Sequence, residues 1–136
     1  MHAAVEPDVF ISFASDDRPY AELVKGYLLG RDRSVWSDEE IGPGENWEDQ
    51  IARSLEASRA VILLVSPAFL RSPANLYEAG VALAKEQQKE GKVIPIVIGD
   101  VDPADLPVRL RRSQLLDARG VDRRNVLTQV DKLLAG

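Results

Sequence analysis

The chain has 136 residues, and its 17 basic and 22 acidic side chains leave a net charge of −5 without a basic stripe, which disfavours nucleic-acid binding. It has no cysteine, which excludes disulfides, thiolate metal sites and cysteine nucleophiles together, and its single histidine, His2, stands at an end prone to fray. The longest apolar run, Ala60–Val65, is too short to span a bilayer and no signal-peptide pattern opens the chain, so one domain over 1–136 is expected, away from membranes and cytoplasmic by default.

Val9–Phe13 has the pattern of a first strand. Tyr20, Leu23, Val24, Tyr27 and Leu28 recur at helical spacing, with Asp16 or Ser15 as cap, Pro19 in the first turn and Gly30 at the end. Ser34–Ser37 predicts a short second strand and Asp38–Asn46 a loop. Trp47, Ile51 and Leu55 mark one side of a second helix. Ala60–Val65 is apolar without alternation, as a strand covered on both faces must be. A helix capped by Ser72, with Pro73 at its first position, runs through Glu78 to near Gly91. Val93–Ile98 is another strand, and Pro95, which lacks a ladder donor, predicts an edge-facing or irregular position there. Asp100–Arg112 is loop-like and contains a small basic patch from Arg109 to Arg112. Gln114–Ala118 predicts a last short strand, and Val126, Leu127, Val130, Leu133 and Leu134 a final helix.

Strands alternating with helices predict an α/β flavodoxin-like three-layer sandwich: a five-stranded parallel sheet of order 2-1-3-4-5 with helices on both faces. No internal repeat, low-complexity tract or interior linker is evident, and the chain reads equally as complete or as a module of a longer protein.

In such sheets ligands bind beyond the carboxyl ends of the strands, at the switch point between the first and third. Three segments reach it: Phe13-Ala14-Ser15-Asp16, Trp36-Ser37-Asp38 and Ser66-Pro67. The helix bearing Glu78 starts close enough to overhang the same crevice. Helical spacing puts Leu76, Tyr77, Gly80, Val81, Leu83 and Ala84 on the apolar side, and Glu78 with Ala82, Lys85 and Lys89 on the other. By spacing alone Glu78 is a solvated glutamate near a helix N-terminus. With cysteine absent and histidine only at an end, it is also the best-placed reactive group.

The loop Asp38–Asn46 holds Gly42-Pro43-Gly44 but no following Lys-Ser/Thr pair, so it is not a Walker P-loop, and its acidic flanks repel phosphate. Apolar Ile41 near its tip predicts contact with another molecule. Trp36 and Trp47 suit core packing, although Trp36 at a strand end, and Phe13, can stack on a planar ring. Ser66 has no evident base and is expected to bond backbone at the strand end. A phosphoacceptor receiver domain shares the expected fold, but it needs an aspartate where this chain has Val65-Ser66 and a lysine after the fifth strand that is absent here.

Together these segments resemble the Toll/interleukin receptor (TIR) domain family, particularly its bacterial members. Asp8–Ser15 resembles the first-strand box, and Asp38–Asn46 the long loop after the second strand. Ala60–Pro67 resembles the third strand with its serine exit. Ile94–Val97, then Asp105-Leu106-Pro107 and Gln114, resemble the fourth strand and a later loop. The resemblance runs from about Asp8 to Leu134. It implies NAD as substrate, cleaved or cyclised at the nicotinamide–ribose bond by a glutamate in the third crossover helix, with no cofactor or metal required. Glu78, six residues after Ser72, matches that position. It also implies an NAD site around Phe13, Ala14, Ser15, Trp36, Asp38 and Ser66, and self-association through the Asp38–Asn46 loop, where head-to-tail contact can extend into a filament. Many members carry Trp-Cys where this chain has Ala74-Asn75, whereas Asn75–Gly80 is similar to a form found in bacterial defence proteins. Two alternatives stand beside NAD cleavage: a non-catalytic TIR–TIR interaction module, and a nucleoside deoxyribosyltransferase-like enzyme. The product, ADP-ribose or a cyclic isomer, is open.

Overall fold

The computed structural model describes residues 8–37, 47–88, 91–108, 110, 115–119 and 123–135. Expectations placed on His2, Asp38, Ile41 and the rest of the loop 38–46, Lys89, and the segment 109–114 apart from Leu110 lie outside them, as does the Trp47 side chain. Strands β1 (Val9–Ser12), β2 (Val35–Trp36), β3 (Ala60–Val65), β4 (Lys92–Val97) and β5 (Leu116–Asp117) form one parallel sheet in the order β2-β1-β3-β4-β5, as expected. Helices α1 (Arg18–Leu29), α2 (Trp47–Ala57), α3 (Pro67–Leu70), α4 (Pro73–Gln87) and α5 (Arg123–Ala135) accompany them, with 3-10 turns at Ser15–Asp17 and Pro103–Asp105.

Side-chain alternation along the strands divides the core in two. Val9, Ile11, Ile62, Leu64, Ile94 and Ile96 pack with Ala21, Val24 and Leu28 of α1 and Val126, Leu127 and Val130 of α5. Phe10, Val61, Leu63, Val65, Val93 and Val97 pack instead with Ile51 and Leu55 of α2, Phe69 of α3, and Ala79, Ala82 and Leu83 of α4. Every residue of β3 is buried, which its unbroken apolar run requires of a central strand. Fully burying one such aliphatic side chain stabilises the fold by about 1.5–3 kcal/mol.

Three local features refine the expected elements. β4 lies inside the sheet, as the expected strand order requires, and among the described residues Pro95 has no partner on its β5 side. Pro95 pairs with Leu63 of β3, while β5 opposes only Ile96 and Val97, so the residue without an N–H falls just outside the β4–β5 ladder. Gly30 ends α1 as expected, in a right-handed conformation, and the chain reverses at Asp32 (φ 63°), a residue type that tolerates that region. The helix through Glu78 stops at Gln87, short of Gly91, where the Glu86 Oε2 accepts the Val93 N–H (2.7 Å) and ties the helix end to β4.

The short helix α3, not anticipated, begins right after β3. Ser66 is its N-cap: Oγ accepts the Phe69 N–H (3.1 Å), the strand-end backbone bond expected of this serine. Gly99, leaving β4, crosses close by, and a Cβ there would stand 2.8 Å from Pro67 Cδ. Only glycine allows this approach.

Candidate active site

Ser12 ends β1, and alternation places it on the side of Phe10, toward α4. The buried residues of α4 are Asn75, Glu78, Ala79, Ala82 and Leu83, a single stripe at i, i+3, i+4, i+7 and i+8. This corrects the expected orientation of the helix. Leu76 and Tyr77, assigned to the covered side, are 38% and 41% exposed, whereas Glu78, assigned to solvent, is 0% exposed. Lys85 is partly exposed but tied down: its Nζ donates to the carbonyls of Leu55 (3.0 Å), Ser58 (2.9 Å) and Glu56, closing the C-terminal end of α2. The helix is turned because two polar residues of its inward stripe find partners on β1.

Those partners are specific. Ser12 Oγ donates to Glu78 Oε1 at 2.5 Å. Asn75 Nδ2 lies 3.1 Å from Glu78 Oε1, from Ser12 Oγ and from the Phe13 carbonyl oxygen. Two amide protons therefore serve three acceptors. Ser12, Asn75 and Glu78 are all buried, so the donors hold a carboxylate that water does not reach.

Next to this cluster opens a cavity of about 420 Å³. The segment Phe13-Ala14-Ser15-Asp16 and Arg18 form one wall; Ala68, Arg71, Ser72, Ala74 and Asn75 form the other. Asn75 is the member of the polar cluster that reaches this cavity, and neither Ser12 nor Glu78 is part of its wall. Among the described residues the walls carry two guanidinium groups, Arg18 and Arg71, and one carboxylate, Asp16. The first turn of α4 opens onto the same space, with Ser72 Oγ accepting the Asn75 N–H at 3.2 Å. Arginines and a helix N-terminus together favour an anionic ligand.

The residues singled out by sequence are distributed unevenly around this centre. Phe13, Ala14 and Ser15 line the cavity, although Phe13 is only 8% exposed and packs in the core against α1. Glu78 lies one residue behind the wall. Ser66 is buried outside it and donates to Asp17 Oδ2, joining the exit of β3 to the turn after β1. Trp36 packs its ring on Phe10 (centroids 5.5 Å apart, 35° between planes) and takes no part in the cavity wall. Asp38 lies outside the described residues. Sequence reasoning missed Ser12, Asn75, Asp17, Arg18 and Arg71. The available signals were a serine closing an apolar strand and an asparagine three positions before Glu78. Among the described residues no group of three or more His, Cys, Asp or Glu is arranged to hold a metal ion, and no helix is long and apolar enough to cross a membrane.

The family model described as TIR domain matches residues 9–134. The chain is 30% identical over 105 residues to the stimulator of interferon genes protein of Magallana gigas, covering 75% of this chain and 25% of that protein. It is 29% identical over 118 residues to the human Toll/interleukin-1 receptor domain-containing adapter protein, covering 85% of this chain and 53% of that one. The chain thus spans a quarter to about half the length of these relatives. Among solved structures it is similar to the TIR domain of the Toll-related receptor TRR-2 of Hydra magnipapillata (TM-score 0.79, 21% identity, 96% of this chain and 99% of that chain). It is also similar to a TIR-STING receptor from C. gigas (TM-score 0.81, 24% identity, 100% of this chain and 41% of that chain).

Proposed function

The chain belongs to the TIR domain family, and from that premise we propose that it cleaves NAD at the nicotinamide–ribose bond, with Glu78 as the acting carboxylate, when copies assemble. One observation carries this reading: a buried carboxylate held by two donors sits directly behind a cavity whose walls suit an anionic ligand. The volume falls in the usual range for small-molecule sites, about 300–1,000 Å³. The dinucleotide's diphosphate would lie against Arg18 and Arg71, and its nicotinamide ribose against Asn75.

The chemistry asks little of the protein. The C1′–N1 bond breaks with its electron pair going to the pyridinium nitrogen, so nicotinamide leaves neutral and needs no general acid. The remaining oxocarbenium-like ribose is stabilised by the negative charge of Glu78. Water adds at C1′ and loses a proton to give ADP-ribose; capture by an adenine nitrogen instead gives a cyclic product. No metal or redox partner enters this balance.

Assembly through the loop 38–46, head to tail and extendable into a filament, would place this activity in a signalling or defence protein. One observation favours a second reading, a non-catalytic interaction module: Leu76 and Tyr77 project outward from α4, and Glu78 is absent from the cavity wall. A version of the domain fused to an oligomerising coiled coil, incubated with NAD, separates the two. Release of free nicotinamide supports the enzyme; assembly without nicotinamide release supports the module.

A further inference from the structure

Resting on Glu78 as the reacting group, we propose that Asn75 is a positioning residue that gates it, exchanging its place on Oε1 for the ribose of the ligand. The carboxylate is 0% exposed, and Asn75 is the cluster residue that meets the cavity. Asn75, itself 3% exposed, stands on the wall between that cavity and Glu78, so a ligand there meets Asn75 before it can reach the carboxylate.

The hydrogen bonds specify what must replace Asn75. Ser12 Oγ and Asn75 Nδ2 both donate to the same oxygen, Oε1. When Asn75 turns away, a buried carboxylate loses a donor, and the Ser12 hydroxyl and Phe13 carbonyl lose one as well. Such groups are costly to leave unsatisfied, so an apolar ligand does not open the gate. A ribose with free vicinal hydroxyls brings two O–H donors and restores what the amide gave up. The exchange then trades one hydrogen-bond set for another of similar strength.

The motion required is small. Asn75 lies in the first turn of α4, and its backbone N–H stays bonded to Ser72 Oγ while the side chain rotates about χ1. The helix itself need not shift. The Asn75 side chain therefore sets both access to the carboxylate and preference for a ribosyl ligand.

Carbodiimide-driven amine coupling, read by peptide mass spectrometry, tests the gate without NAD. Glu56, exposed on α2, is the internal reference. In the wild-type domain Glu78 should couple at least about tenfold more slowly than Glu56, as a group reached only by local opening does. Asn75→Ala should bring Glu78 close to the Glu56 rate with an unchanged circular dichroism spectrum, and should raise NAD cleavage by the unassembled domain. Ala82→Gly, which loosens the same helix away from the gate, should leave Glu78 slow. Should Asn75→Ala not fold, Asn75→Cys offers a small buried side chain with the same prediction. Wild-type Glu78 coupling as fast as Glu56, or remaining slow in a folded Asn75 variant, overturns the gate. A gated Glu78 in a domain that releases no nicotinamide in any assembled form overturns the NAD reading alone.

Discussion

Ser12 Oγ stands 2.5 Å from Glu78 Oε1, joining residues 66 positions apart where the end of β1 meets the second turn of α4. This contact turns the helix, buries the carboxylate and fixes its distance from the cavity. Ser12→Ala removes one donor from a buried acceptor and should destabilise the domain by about 1–3 kcal/mol in urea unfolding. In the Glu78→Gln background the same change should cost less, because the acceptor is then uncharged. Equal costs in both backgrounds would mean that the two side chains do not interact.

Gly99 and Pro67 hold the exit of β4 against the start of α3. A Cβ at Gly99 meets a ring carbon at 2.8 Å, and the ring cannot swing aside as a flexible side chain would. Gly99→Ala should therefore cost about 1–3 kcal/mol by overpacking. A thermal midpoint unchanged from wild type would contradict this.

The layout of the fold was legible because β3 is apolar throughout and the strands and helices alternate; strand order then follows from handedness and size. The candidate site was legible only in part. Hydrophobic patterning sends Glu78 outward, since it scores each side chain without its partner, and the partner Ser12 comes from another element. Arg18 and Arg71 are ordinary surface residues in the sequence, and only the packing of the β1 exit beside α4 brings them to one cavity. The four residues of α3 are too few to show a period.

Arg71 is, with Arg18, one of two arginines among the described residues of the cavity wall and, in the proposed reading, seats the diphosphate of NAD. Arg71→Ala in the assembled domain should raise KM for NAD by about tenfold while leaving kcat within about twofold, the pattern of lost ground-state binding. Steady-state kinetics decide it. A fall in kcat at constant KM would place Arg71 at the reacting bond instead.

Asp117 gives a pH dependence of known sign. Arg119 donates from its side chain to both carboxylate oxygens (2.9 Å each) and from its backbone N–H (3.0 Å), holding the carboxyl at about 2 against an ordinary 3.8. A lowered folded-state pKa stabilises the fold above the unfolded value and loses that contribution as pH falls from about 4 through about 2. Both side chains are more than a third exposed, so the contribution is small, about 0.2–1 kcal/mol. Urea midpoints of wild type and Asp117→Asn should differ slightly at pH 5 and converge near pH 2. A gap that widens toward acid would reverse the assignment.

The central claim, that the carboxylate of Glu78 cleaves NAD, is tested most directly by Glu78→Gln in the coiled-coil-assembled domain. The substitution keeps the shape of the side chain and removes its charge. Nicotinamide release, followed by chromatography beside a check of assembly and circular dichroism, should fall by at least about a hundredfold, the scale of losing a principal electrostatic group. Wild-type release from a folded, assembled Glu78→Gln domain would contradict the account.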